Sequence, residues 1–315
     1  MIVALAGGVG GARLAVGLAA LLPPDRLTIV VNTGDDFEHL GFSISPDLDT
    51  VMYTLAGVAD AERGWGRRDE TWRFMEALGE LGGDDWFRLG DRDLAVHVIR
   101  TRALATGARL SDITRELADR LGVRHAIVPM ADEPVRTFVV TDSGELPFQE
   151  YFVRRRCEPV VSGFRFEGAE RARPPRVLAS VMQRKDIEGV VVCPSNPFIS
   201  IGPILAVSAI RDWLEARRCP VVAVSPIIGG EAVKGPTAKM FRELGLQASA
   251  PAVARHYGGL VDRWVIDEQD AREARKIEVL GKHVMMTNTL MTDRARSIEL
   301  ARTVVDLVRK ARTPR

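Results

Sequence analysis

Short, uninterrupted apolar runs alternate with amphipathic stretches at the start of the chain: Ile2-Val3-Ala4-Leu5-Ala6, a helical periodicity from Leu14 to Leu22, then Leu27-Thr28-Ile29-Val30-Val31. A strand that is apolar at every position has both faces covered, so these runs predict parallel strands joined by crossover helices. The pattern returns as Gly189 to Cys193, a helix from about Pro203 to Ala216, and Pro220 to Val224. The middle has a different texture. Residues 46–122 read as largely helical, whereas about 125–170, with RTFVVTDSGELPFQEYFV and PVVSGFRFEG, read as antiparallel strands turning at Ser143-Gly144. ARPPRVLASVMQ predicts a returning helix, and a last helix spans about Asp293 to Lys310. The expected fold is α/β: a Rossmann-like, mostly parallel sheet with helices on both faces, built from residues 1–45 and 176–315. An α+β cap subdomain is inserted at 46–175.

Composition narrows the function classes. At 315 residues the chain can bury a full core without a structural staple. Lys and Arg number 43 against 42 Asp and Glu, a net charge of +1, which argues against general affinity for nucleic acid or anionic membrane. Charged ligands must therefore be met by local sites. Cys157, Cys193 and Cys219 are odd in number and lack CxxC spacing, so neither a disulfide framework nor a zinc site is indicated. No apolar run approaches the roughly 18 residues of a membrane span, and no basic leader opens the chain, so a cytoplasmic location is expected.

The candidate chemistry collects at strand ends. Gly7, Gly8, Gly10 and Gly11 follow the first strand, where bare backbone and a helix N-terminus can receive a phosphate; the alternative is a tight turn without a ligand. The stretch is not a G-x-x-x-x-G-K-[ST] loop, and Arg13 stands where a dinucleotide fold has Gly or Ala. Arg13 is either a solvated charge or a phosphate ligand. Asn32, Asp35 and Asp36 emerge after the second strand, to hold a ribose or to form a turn. Asp47 and Asp49, two apart before a helix, suit either a hard cation or helix capping alongside Ser45. Arg88, Asp91, Arg92, Asp93, His97 and Arg100 form the densest polar cluster, and Asp93, His97 and Arg100 share one helical face. That face either meets an anionic ligand or is a solvated, salt-bridged surface. The CPSNPFISIGPILA loop offers Ser195, Asn196 and Ser200, and SPIIGGEAVKGPTAKMF offers Ser225, Gly229, Lys234 and Lys239, as nucleoside and phosphate ligands or as plain turn chemistry. Ser-His-Asp order, HExxH and a nucleophile elbow are absent, so covalent catalysis is not expected.

Taken together, GGVGGAR, VNTGDD, SPDLDTVMYTLAG, GWGRRDETW, LGDRDLAVH, PSNPFISIGPIL, SPIIGG and KGPTAK resemble the 2-phospho-L-lactate transferase family of coenzyme F420 biosynthesis, from residue 2 to about 300. The resemblance implies transfer of a phospholactyl, phosphoenolpyruvyl or phosphoglyceryl group from a guanosine-diphospho donor to the deazaflavin alcohol Fo, with release of GMP and assistance from Mg2+. It implies Fo contacts at Asp49 and Arg88, with Asp91, Arg92 and His97 alongside, and catalytic roles for Asp47, Asp49 and Arg88. Gly7, Gly8, Gly10, Gly11, Arg13, Asn32, Ser195, Asn196, Ser225, Gly229 and Lys234 are expected to receive the nucleotide, and Asp35, Asp36, Asp47 and Asp49 to hold the metal. Trp65, Trp86 and Phe87 are candidates for a wall against the flat deazaflavin. The partners expected are these two small molecules and a second copy in a homodimer, without nucleic acid or membrane. Two rivals share the pattern: an NAD-dependent oxidoreductase and a non-enzymatic regulator that binds a nucleotide-sugar.

Overall fold

Every side chain of β1 (Ile2–Ala6) and β2 (Leu27–Val31) is buried, as continuous apolar strands demand, and α1 (Gly8–Leu21) crosses between them. The structure, a computed structural model, describes residues 1–311, so the last four positions of the predicted core segment 176–315 lie outside the described residues. After β2 come a small hairpin, β3 (Phe37–His39) and β4 (Phe42–Ile44), and helices α2 (Pro46–Ala56), α3 (Arg73–Glu80), α4 (Asp91–Ala105) and α5 (Leu110–Arg120). Strand β5 (Ala126–Pro129) is followed by β6 (Arg136–Thr141), β7 (Gly144–Pro147), β8 (Val161–Glu167) and α6 (Arg176–Met182). The remaining alternation is β9 (Gly189–Val192), α7 (Gly202–Ala206), α8 (Ser208–Ala216) and β10 (Val221–Val224). A short ribbon, β11 (Ile227–Ile228) and β12 (Glu231–Ala232), precedes α9 (Thr237–Glu243), α10 (Ala250–Tyr257), β13 (Arg263–Asp267), α11 (Ala274–Glu278), β14 (His283–Thr287) and α12 (Arg294–Lys310).

Seven strands form one sheet in the order β14-β13-β10-β9-β1-β2-β5, and every pairing is parallel. The chain starts in the middle, runs outward through β2 to β5, then crosses back and runs outward through β10 to β14. The strand order therefore reverses between β1 and β9, and in open α/β sheets the crevice at that reversal, beyond the carboxyl ends of the strands, receives ligands. Alternate residues of β1 feed separate cores: Val3 and Leu5 join Ile201, Ile204 and Trp264, while Ile2, Ala4 and Ala6 join Leu14, Leu18, Val51 and Val304. Burying each such aliphatic side chain stabilises by about 1.5–3 kcal/mol. Helix α12 lies so close to α1 that a Cβ on Gly17 would sit 2.1 Å from the Ser297 carbonyl oxygen.

Three boundaries differ from the sequence reading. Strand β5, inside the span assigned to the cap, is the edge strand of the main sheet, pairing Thr28 with Ala126 and Val31 with Pro129. Helices α2 and α5 also pack on that sheet, through Leu48, Val51, Ile113 and Leu117, so residues 46–175 are not one insertion. The antiparallel part is the three-stranded sheet β7-β6-β8, and Glu150–Arg154, expected as strand, is a π-helical turn that buries Tyr151. The helix expected over Pro203 to Ala216 is broken by an extended Val207.

Candidate active site

The glycine loop sits at the sheet reversal. Gly7 is extended and hands over to Gly8, whose φ of +60° starts α1 in a region that a β-carbon disfavours. The other bare positions admit a neighbouring loop: a Cβ on Gly10 would stand 2.2 Å from the Pro194 carbonyl oxygen, and one on Gly11 2.7 Å from Ser195 Oγ. Ser195 locks the two loops together, its Oγ accepting from the Gly7 amide at 3.1 Å and donating to the Gly7 carbonyl at 2.7 Å.

Asp47 reaches into this turn from α2. Its Oδ1 accepts the Gly8 amide at 2.7 Å and its Oδ2 accepts Asn32 Nδ2 at 2.9 Å. Although Asp47 lies in the first turn of its own helix, it caps α1 instead. Asn32 is fully buried and spends its side chain on Asp47, the Ile199 carbonyl (3.2 Å) and the Gly34 amide (2.8 Å). It is a brace between loops.

Asp35 and Asp36 are buried beside Asp47, and each has one carboxylate oxygen without a hydrogen-bond partner. Burial pushes Asp36 up to about 7, partly offset by the Ser45 hydroxyl (2.7 Å) and by Arg136 and Arg100. Burial raises Asp47 to about 6, and burial together with the charge of Asp47 holds Asp35 well above the ordinary carboxylate range. Three sequestered carboxyl groups, two of them with an orphaned oxygen, are a donor set suited to a hard divalent cation, which would stabilise their charged forms. A cavity of about 80 Å³ adjoins Asp36, lined also by Thr33, Ser45 and Arg136.

Asp49 faces elsewhere. The Arg100 guanidinium grips both of its oxygens, Nη1 to Oδ2 at 3.0 Å and Nη2 to Oδ1. His97 lies between Asp49 (Nδ1 to Oδ2, 3.8 Å) and Asp93 (Nε2 to Oδ2, 3.4 Å), and the Tyr53 hydroxyl donates to Asp93 at 2.5 Å. Asp49, Asp93 and His97 offer ligand atoms within 4.8 Å of one another, yet a cation there would abut the Arg100 charge. With Arg100 paired to Asp49, the group forms an ion-pair network. The Asp93-His97-Arg100 face is neither solvated nor free for a ligand. It is buried against α2, and His97, 1% exposed, is corrected from substrate contact to interior residue.

Arg88 is exposed and stacks on Trp72 at 4.8 Å, with Arg63 at the same distance from that ring and Trp65 edge-on to it at 5.9 Å. Trp86 and Phe87 pack with Phe37 and His39. Asp91 accepts from the Thr71 hydroxyl and the Arg73 and Phe74 amides, so it caps α3; Arg92 is exposed. Lys234 approaches from the opposite side: a Cβ on Gly64 would lie 2.4 Å from Lys234 Nζ and 3.6 Å from Val9. The Gly64-Trp65-Gly66 turn, the glycine loop and Lys234 thus share one rim.

Several expected nucleotide ligands are committed to the fold. Arg13, half-buried, donates to the Met291 carbonyl at 2.6 Å. Asn196 caps the following turn through the Phe198 and Ile199 amides, Ser225 closes on the Ile227 backbone, and the Gly229 amide donates to Asp270. Lys239, also a candidate, donates to the Pro159 carbonyl at 3.0 Å and pairs with Glu243. Sequence reasoning gave Tyr53 no role although it lies within SPDLDTVMYTLAG, and its position four residues after Asp49 sets both on one helical face.

Comparison with known proteins identifies the family. The family described as 2-phospho-L-lactate transferase CofD matches residues 2–305. A phosphoenolpyruvate transferase from Streptomyces avermitilis is 41% identical, covering 99% of each chain. A 2-phospho-L-lactate transferase from Methanosarcina mazei is 40% identical, covering 95% of this chain and 97% of that one. In fold, the chain is similar to a UPF0052-family protein from Bacillus halodurans, with a TM-score of 0.63 at 14% identity over 96% of this chain and 98% of that chain. Among the described residues no single helix is long and apolar enough to cross a membrane.

Proposed function

Because the chain belongs to the 2-phospho-L-lactate transferase CofD family, we propose that it moves a phosphorylated three-carbon acid from a guanosine-diphospho donor to the ribityl hydroxyl of the deazaflavin Fo, releasing GMP. The observation that carries this reading is the meeting of glycine loop, acid cluster and Lys234 at the β1/β9 reversal. The first turn of α1 offers backbone N–H groups and a positive helix end to a diphosphate. Lys234 adds a mobile cation on the same rim.

In this reading Asp35 and Asp36 hold Mg2+, helped by Asp47, and the ion when bound supplies charge neutralisation on the diphosphate. The acceptor oxygen forms a bond to the phosphorus distal from guanosine while that phosphorus loses its bridging oxygen to GMP. Positioning and charge do most of the work in such transfers. Asp47, beside Asp35 at the Gly8 turn, is the carboxylate placed to receive the hydroxyl proton, and Asp49 orients the acceptor. Arg88 and the Trp72–Trp65 pair give the deazaflavin a cation and an aromatic wall. The dinucleotide reading would need Asp35 or Asp36 at a ribose, and both are buried beside Asp47.

Turnover with Fo and each of the phospholactyl, phosphoenolpyruvyl and phosphoglyceryl donors tests the proposal. GMP release dependent on Fo with one of them supports it, and none with any overturns it.

A further inference from the structure

We infer that Arg100 is a positioning residue for the acceptor: its guanidinium fork sets the plane of the Asp49 carboxylate and, through α4, the separation of Asp49 from Arg88. The inference rests on the reading of Asp49 and Arg88 as acceptor ligands. Arg100 is 2% exposed and cannot itself meet a substrate. Everything it touches is internal: both Asp49 oxygens, His97 Nδ1 at 3.3 Å and the Ser43 carbonyl at 3.4 Å. A second tie runs parallel to the first, from Tyr53 through Asp93 to His97. Asp49 and Tyr53 stand four apart on α2, as do Asp93 and His97 on α4, so the two helices are locked in register at two levels. Arg88 lies three residues before α4 begins, and Glu70 fixes that beginning by accepting the Arg92 and Asp93 amides at 2.7 and 3.0 Å.

Stability alone gives a poor reason for this arrangement. Desolvating a buried ion pair offsets most of its Coulombic gain, and well-packed apolar side chains of similar volume hold helices together as well or better. What the fork adds is direction, because a planar guanidinium meeting a carboxylate through two hydrogen bonds fixes its orientation where a lysine would not.

Arg100→Lys keeps the charge and loses the fork, so it is the informative variant. Its kcat/KM for Fo should fall ~10²-fold, as expected for a reacting group displaced by about an ångström, while GDP affinity measured by calorimetry stays within about twofold, well under the tenfold that 1.4 kcal/mol represents. Millimolar guanidinium should restore part of the activity of Arg100→Ala and leave Arg100→Lys unchanged. His97→Gln, which keeps a hydrogen-bonding group beside Asp49, should show the same direction with a smaller loss. Wild-type kinetics in Arg100→Lys, or parallel losses of turnover, GDP affinity and melting temperature in both variants, would overturn the inference. Asp49→Asn separates the premise: unchanged turnover there rejects Asp49 as an acceptor ligand, whereas lost turnover beside a wild-type Arg100→Lys rejects only the positioning role.

Discussion

Asp47, from the first turn of one helix, accepts the backbone amide of Gly8, the first residue of another, at 2.7 Å. A carboxylate thus occupies part of the helix N-terminus at which a diphosphate is proposed to bind. The two anions compete unless a cation draws Asp47 away or a proton neutralises it, so metal and nucleotide are coupled at this residue.

The first prediction concerns that residue. Asp47→Asn removes the competing charge and the proton acceptor together. Turnover should fall ~10²–10⁴-fold, the usual contribution of a positioned base, while GDP affinity is kept or tightened. Calorimetry beside a GMP-release assay checks both, and a large loss of GDP binding would instead assign Asp47 to the nucleotide.

Stability should depend on pH through the acid cluster. Asp36 is held near 7 and Asp47 near 6, against an ordinary 3.8, because burial disfavours their charged forms. The folded state therefore binds protons more tightly than the unfolded one; the stabilisation is complete below about pH 4 and is lost as pH rises through 6 to 7. In EDTA, Asp36→Asn should match wild type at pH 4.5 and exceed it at pH 8, by on the order of 1–3 kcal/mol. Mg2+ should raise the wild-type melting temperature more at pH 8 than at pH 5.5, and do so weakly in Asp36→Asn. A metal effect equal at both pH values would contradict the assignment of these acids.

Glycine substitutions distinguish packing from conformation. Gly10→Ala forces a methyl toward the Pro194 carbonyl and should destabilise by about 1–3 kcal/mol, with weaker GDP binding as the two loops part. Gly259 has nothing within 4 Å of its would-be Cβ, so Gly259→Ala serves as a near-neutral control by thermal melting.

Arg88→Ala should raise KM for Fo while leaving GDP affinity unchanged, since Arg88 lies on the Trp72 ring. The lost stacking is worth about 0.5–1 kcal/mol at an exposed site, so melting should barely move. Steady-state kinetics with varied Fo check this, and an unchanged KM would exclude Arg88 from the acceptor site.

Strands β1, β2, β9 and β10 were legible because they are almost wholly apolar, and the glycine loop because it follows the first of them; β13 and β14, which carry Arg263, Asp267, His283 and Thr287, were not read. β5 escaped notice: Ala126-Ile127-Val128-Pro129 is only four residues long and borders a region of alternating strands. The partners of the site were less legible than its residues. Spacing puts Asp93, His97 and Arg100 on one face, but nothing local says that Asp49 and Tyr53 lie opposite. Asp47 looks like a cap for its own helix, and only the tertiary fold brings it to an amide 39 positions earlier. Arg13 and Ser225 read as ligands because their residue types suit phosphate and ribose, whereas backbone carbonyls of Met291 and Ile227 claim them first.

The most direct test is a crystal structure with GDP and Mg2+ bound. The diphosphate should lie at the N-terminal turn of α1, between Gly8 and Lys234, with the ion on Asp35 and Asp36. A nucleotide bound away from the crevice between β1 and β9 would contradict this placement.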